Sequence, residues 1–400
     1  MHPLLALALV VAAGIGVTRL SLPPLRVPAV LPFVLLGALL GPGLRVLDDA
    51  VLRALTPVTA LGLGWIGALV GAQFRWRLVR RIPRGEAAAG LALAASVFLV
   101  TAAVAALLVR FVPSLGTAWR IPGIGALPAI LTLGAIGTMA TSTLGGPARR
   151  VTLVATGCGL LAVATVLAVY RAGGAGGTGG VSIGGGVVRL AGMAASGAAI
   201  GMLAIWLARL RDGTDGMEPR LEVVAVVLAG AGWGLATRLS PFIICAVAGA
   251  LLASRAPAFA SESVQRAPRL LPRWSFGVYG VLLILCGAIV KIPSWWLVPA
   301  ALLLAIARVA ARWALLRYGR RWPPLAVLPP PAALNGVGQS AAAVALALSF
   351  ELAFRSAGGG AILATTLLSV LLAEAAASAL AGAASHPAPL TAAPPRAEVT

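Results

Sequence analysis

Apolar runs long enough to cross a bilayer recur from Leu4 almost to the end of this 400-residue chain, separated by short breaks that carry Pro, Gly or Arg. About 20 predominantly apolar residues suffice for a helix to traverse the ~30 Å hydrocarbon core. The pattern therefore predicts an all-α polytopic membrane protein. Its spans fall at Leu4–Val17 and near 27–41, 53–73, 86–109, 126–145, 150–170, 187–209, 220–237, 240–254, 274–291, 295–316, 334–353 and 360–382, about 13 in all. The first run lacks the basic n-region of a signal peptide, and Arg19 and Arg26 follow it, so it reads as a first transmembrane helix.

Two spans are too polar for ordinary lipid-facing helix. The fifth holds Gly134, Gly137, Thr138, Thr141, Ser142 and Thr143 and closes on Gly145-Gly146-Pro147. The twelfth follows Pro329-Pro330-Pro331 and opens Asn335-Gly336-Val337-Gly338-Gln339-Ser340. Such segments are either helices broken at membrane depth, where protein or a cavity satisfies the freed backbone, or sites of close helix packing. Between the halves of the chain, residues 172–186 form a Gly-rich run; with no preceding strand and no following Lys-Ser or Lys-Thr, it is a linker and no phosphate loop.

An internal repeat favours broken helices. Gly37-Ala38-Leu39-Leu40 recurs as Gly249-Ala250-Leu251-Leu252, an offset of 212 residues, and Leu69-Val70-Gly71-Ala72 is echoed by Leu285-Cys286-Gly287-Ala288, an offset of 216. The repeated spans are the second with the ninth and the third with the tenth. Seven spans apart, they cross in opposite directions, the inverted architecture of secondary transporters, whose sites form where crossed broken helices meet. The expected organisation is a transmembrane domain over 1–385, with repeats at about 1–170 and 220–382 joined by the linker and span 187–209, and a disordered tail at 386–400.

Composition agrees with a membrane protein: 60% of residues are hydrophobic, 10% are charged, and the mean hydropathy is +0.98. The net charge of +20 does not imply nucleic acid, because the arginines sit in short clusters between apolar runs. With the N-terminus outside and the C-terminus cytoplasmic, 22 of the 31 basic residues fall inside, among them Arg75, Arg77, Arg80, Arg81 and Arg84, then Arg149 and Arg150. That asymmetry is the positive-inside rule, and it places a multi-pass protein in a plasma membrane such as a bacterial inner membrane. Cys158, Cys245 and Cys286 lie in apolar spans as buried small side chains, and His2 and His386 lie near the termini. No metal site, cofactor or enzymatic constellation is expected.

These segments, in order, resemble the cation:proton antiporter superfamily, in particular its second family of sodium/hydrogen exchanger-like monovalent cation:proton antiporters. The resemblance runs from about residue 4 to residue 382. It rests on Leu22-Pro23-Pro24 with Leu36-Gly37-Ala38-Leu39-Leu40-Gly41-Pro42, on 61–71 before an arginine-rich loop, on 134–143, and on Gly249, Gly287, Arg308 and Glu374. It implies exchange of Na⁺ or K⁺ for protons by an elevator-like movement, usually in a homodimer.

The departures from that family share one direction. Where transporting members carry one or two carboxylates in the sixth span, this chain has Gly157-Cys158-Gly159. The acidic residue ending the third-span motif is Gln73, and the Gly-Glu of the twelfth span is Gly338-Gln339. Proton-coupled exchange needs a group that holds either a proton or a cation, as a buried carboxylate does; Gln, Ser and Thr do not titrate in range. Glu86 and Glu222 read as interfacial, and Lys291 as a snorkelling anchor. Glu351 sits near Arg355. Glu374 lies deepest, either as a functional acid or as the structural partner of an arginine such as Arg308.

The expected function is a secondary transporter with altered or lost proton coupling. Its cation site would use Thr138, Thr141, Ser142, Asn335, Gln339, Ser340 and backbone carbonyls, with Glu374 or Glu351 as proton carrier. The alternative is a non-transporting membrane scaffold or regulator that keeps the fold.

Overall fold

Helix formation is clearest at residues Arg84–Phe111, which run RGEAAAGLALAASVFLVTAAVAALLVRF behind an extended Pro83. Ala and Leu are strong helix formers, and the proline sits just before the helix, where it disturbs no internal hydrogen bond. At 1.5 Å per residue, this helix is longer than a bilayer core is thick. Only 28% of its most apolar window is buried inside the protein, and Leu91, Leu99 and Leu107 point outward with more than half their surface exposed. In water such a face would aggregate. In lipid it is the expected exterior.

The computed structural model describes residues 2–19, 30–112, 114–115, 127–132, 146–172, 183–210, 219–259, 277–290, 294–322, 325–326 and 359–384. In chain order the helices are α1 (Pro3–Arg19), α2 (Val30–Ala38), α3 (Asp49–Ala54), α4 (Thr56–Gly71), α5 (Trp76–Val79) and α6 (Arg84–Phe111). Then come α7 (Gly146–Ala172), α8 (Ile183–Leu210), α9 (Pro219–Ala236), α10 (Pro241–Phe259), α11 (Gly277–Ile289), α12 (Leu297–Tyr318) and α13 (Gly359–Ala384). Among the described residues there is no strand, and α6, α7, α8 and α12 are long and apolar enough to cross a membrane. This is an all-helical, multi-pass membrane protein.

Helix α12 carries its own depth markers. Trp295 and Trp296 stack at 4.0 Å just before it, and Trp313 and Tyr318 meet edge to face at 6.2 Å in its last turns. Arg317 lies 5.2 Å over the Trp313 ring and Arg321 lies 5.7 Å over Tyr318. Aromatic residues and arginines of this kind belong at the two membrane–water interfaces.

The sequence pattern misplaces two local features. The third span, expected as one helix over 53–73, is divided at Leu55, where α3 ends and α4 starts with Pro57 in its first turn. Helix α2 continues into a π-helical turn over Leu39–Gly43 that contains Pro42. Proline has no N–H to give to the ladder. The Leu44 N–H instead bonds the Leu39 carbonyl at 2.7 Å, five residues back.

Packing centres on α4 against α10, an extensive helix contact; α8 and α9 lie on the same pair. A second group joins α6 to α7 and α12, and α12 to α13, with α7 meeting α8 between the groups. One hydrophobic core nevertheless runs through both, from Leu63 on α4 and Phe242 on α10 to Val163 on α7 and to Ile362 and Leu367 on α13.

Several glycines on two interfaces allow close backbone approach, and four of them form matching pairs. On the α2–α11 interface Gly37 faces the Ile284 carbonyl and Gly287 faces the Val34 carbonyl. On the α4–α10 interface Gly249 faces the Ala68 carbonyl and Gly71 faces the Ala246 carbonyl. A Cβ at any of the four would run into backbone, so only glycine permits these separations. Along α4 and α10, Gly67 meets Phe242 and Gly71 meets Ala246, so the two helices run parallel.

Candidate functional site

The turn that closes α4 sets one of its residues, Phe74, against Gly157 on α7, a position the sequence flags. After Gly71 the chain bends, with the Gln73 N–H donating to the Val70 carbonyl at 3.1 Å and the Phe74 N–H to the Gly71 carbonyl at 2.9 Å. This sets Phe74 against α7. A Cβ built on Gly157 would lie 3.1 Å from the Phe74 Cε1 atom. The ring thus occupies the space that a side chain at 157 would enter. Cys158, one residue on, turns to another neighbour and packs on the cluster of Ala89, Leu93, Val151, Ala155 and Leu316.

Gln73 itself is half-buried, and its Nε2 is buried without a hydrogen-bond partner among the described residues. On α13, Thr366 Oγ1 and Ser369 Oγ share that condition. Three residues apart, they lie on one helix face. Thr365 beside them is also fully buried, but its hydroxyl donates to the Ala361 carbonyl at 2.8 Å. Unpaired buried hydroxyls are rare and ask for an explanation; their oxygens are ligands that a cation accepts. Sequence reasoning does not single them out. The one signal is that Thr365-Thr366 and Ser369 are the polar positions of an otherwise apolar helix start.

Glu86, expected at a span end, lies in the first turn of α6. It is 5% exposed, and Arg150 on α7 grips it with both arms of the guanidinium, Nη2 donating to Oε1 at 2.7 Å and Nε donating to Oε2. Nothing in the local sequence joins residues 64 positions apart. The asymmetry of burial sets the response to mutation: the Arg150 side chain is 34% exposed and the Glu86 side chain 7%. Removing Arg150 strands a buried carboxylate, whereas removing Glu86 strands a cation that water still reaches. Thermal unfolding in detergent is expected to show Arg150→Ala melting below Glu86→Ala; the reverse order would mean that the carboxylate is not the costlier charge to strand.

Thr138, Thr141, Ser142, Asn335, Gln339, Ser340, Glu351 and Lys291 lie outside the described residues. Glu374 falls within α13, seven residues after Leu367 and four after Val370, both buried, and its own side chain is outside the description. The structure therefore brings Phe74, the neighbour of Gln73, to Gly157, and separately places Thr366 and Ser369 on one face of α13. Cys245 and Cys286 are buried and Cys158 is half-buried. Among the described residues, no three His, Cys, Asp or Glu side chains gather as a metal site would require.

No protein-family model matches the sequence, and no curated protein sequence does. Solved structures do match. One is the sodium proton antiporter MjNhaP1 from Methanocaldococcus jannaschii at pH 8, with a TM-score of 0.64 and 17% identity over 95% of this chain and 97% of that one. Another, of the same antiporter from an electron-microscopy map, gives 0.63 and 18% over 96% and 97%. At such identity the likeness is one of fold, and it spans nearly the whole of both chains: this protein has a sodium/proton-exchanger-like fold.

Proposed function

We propose that this chain is a secondary membrane transporter that exchanges Na⁺ or K⁺ for protons, with a cation site built from neutral oxygens. The observation that carries the proposal is the end-to-end likeness in fold to a sodium proton antiporter. Reciprocal glycine contacts support inverted repeats within it. The offset of 212 carries Gly37 to Gly249 and Val34 to Ala246; the offset of 216 carries Ala68 to Ile284 and Gly71 to Gly287. Each of these α2–α11 contacts thereby maps onto an α4–α10 contact, as a two-fold relation between repeats requires. The two packing groups of helices are the natural bodies for an elevator-like movement.

In this reading Thr138, Thr141, Ser142, Asn335, Gln339 and Ser340 supply the cation ligands where two broken helices cross, in a chain of about 13 spans. Thr366 and Ser369 offer two more hydroxyl oxygens. Glu374 carries the proton, with Glu351 as second candidate, because the sixth-span position is Gly157. The N-terminus lies outside and the C-terminus in the cytoplasm, the domain runs over 1–385, and two copies pair as a homodimer.

Proteoliposomes with an imposed pH gradient and an internal pH-sensitive dye test the proposal. Added Na⁺ or K⁺ is expected to collapse the gradient, and Glu374→Gln to abolish the response. An unaltered rate in Glu374→Gln with loss in Glu351→Gln would move the proton to Glu351. Silence across pH and cations, from protein that remains folded, would overturn exchange and leave the scaffold reading.

A further inference from the structure

Beside the Gln73–Phe74 turn, a cavity of about 310 Å³ is lined by Arg75, Arg77 and Arg81 from the α5 corner, Arg150 from α7 and Ser254 from α10. That volume is at the lower end of the ~300–1,000 Å³ typical of small-molecule sites. We propose that it binds a phosphate-bearing anion, either an anionic phospholipid headgroup or free phosphate.

The site is held from several sides. The Trp76 N–H donates to Ser254 Oγ at 2.9 Å, and that hydroxyl donates to the Ala250 carbonyl at 2.6 Å, which ties α5 to α10. Glu86 fixes Arg150 through Nε and Nη2 and leaves Nη1 outside that pair. Among the described residues, no carboxylate forms an ion pair with Arg75, Arg77 or Arg81. Four arginines thus line one cavity, Glu86 being the carboxylate paired with one of them among the described residues, and an anion there relieves the repulsion between their positive charges. Guanidinium forks match the several oxygens of a phosphate, and basic pockets between transmembrane helices suit lipid headgroups. Trp76, 64% exposed on the same short helix, is the residue type that settles at headgroup depth.

The test uses the full-length protein in a neutral detergent, with hydrogen exchange over 75–81 and 250–254 followed on adding phosphatidylglycerol, phosphatidylcholine or inorganic phosphate. Slowed exchange at both segments with phosphatidylglycerol, and none with phosphatidylcholine, is the expected result. Inorganic phosphate giving the same protection would assign free phosphate; protection by the lipid alone would assign the headgroup. Arg77→Gln/Arg81→Gln is expected to weaken binding at least tenfold, and Arg53→Gln/Arg110→Gln, with the same charge removed elsewhere, less than twofold. The proposal is overturned if neither anion protects these segments or if both double variants lose binding equally. Should the first variant fail to fold, the exchange data on the unaltered protein decide alone.

Discussion

Gly71→Ala is expected to destabilise the protein by about 2–3 kcal/mol, the upper part of the range for forcing an extra methyl into packed structure. The methyl would land on the carbonyl of Ala246, which is backbone and has no rotamer to change. Helices α4 and α10 must then separate along their whole contact. Gly287→Ala, which meets the Val34 carbonyl, should cost about as much by the same argument. Gly232→Ala is the control: open space surrounds it in α9, and alanine is the better helix former by roughly 0.5–1 kcal/mol. Combinations make the test sharper. Gly71→Ala with Gly249→Ala should be less than additive, because one interface is opened twice. Gly71→Ala with Gly287→Ala, on separate interfaces, should add. Thermal unfolding in detergent measures all of these, and a neutral Gly71→Ala would refute the close approach.

Placing a carboxylate at position 157 is expected to have the largest effect on transport, but only in company. Gly157→Asp alone should leave exchange at the level of the unaltered protein and lower its melting temperature, since the new Cβ already crowds the Phe74 ring before any carboxyl atom is placed. Gly157→Asp with Phe74→Ala opens that space and should raise cation-dependent proton flux in proteoliposomes at least tenfold, because the site then holds a group that trades a proton for a cation. Phe74→Ala by itself supplies no titrating group and should not raise flux. If the single Gly157→Asp variant rose as far as the double, Phe74 would not be what fills the position. If the double variant rose no further than Phe74→Ala, the absent carboxylate would not be what limits exchange.

Much of the architecture was legible because a membrane helix announces itself by length and hydropathy alone. Span 86–109 became α6, span 187–209 became α8, and span 295–316 became α12, each within a few residues. The glycines of the repeat were legible too, since a position that admits no Cβ tolerates little else. The break at Leu55 was not: Thr56-Pro57 starts a helix as readily as it sits near the start of a longer one. Nor was the burial of Glu86, which looks like any acid in a first helical turn until Arg150 is brought to it.

By itself, then, the sequence determined that the chain is a helical membrane protein, where helices such as α6, α8 and α12 lie, and that the helix holding Gly157 has no carboxylate. Only the tertiary structure decided which helix faces meet. Helices apolar all round carry no stripe to mark the buried side, and lipid gives no hydrophobic drive to choose one. Hence the placing of Phe74 at Gly157, the Glu86–Arg150 pair and the arginine-lined cavity all depend on contacts between helices distant in sequence.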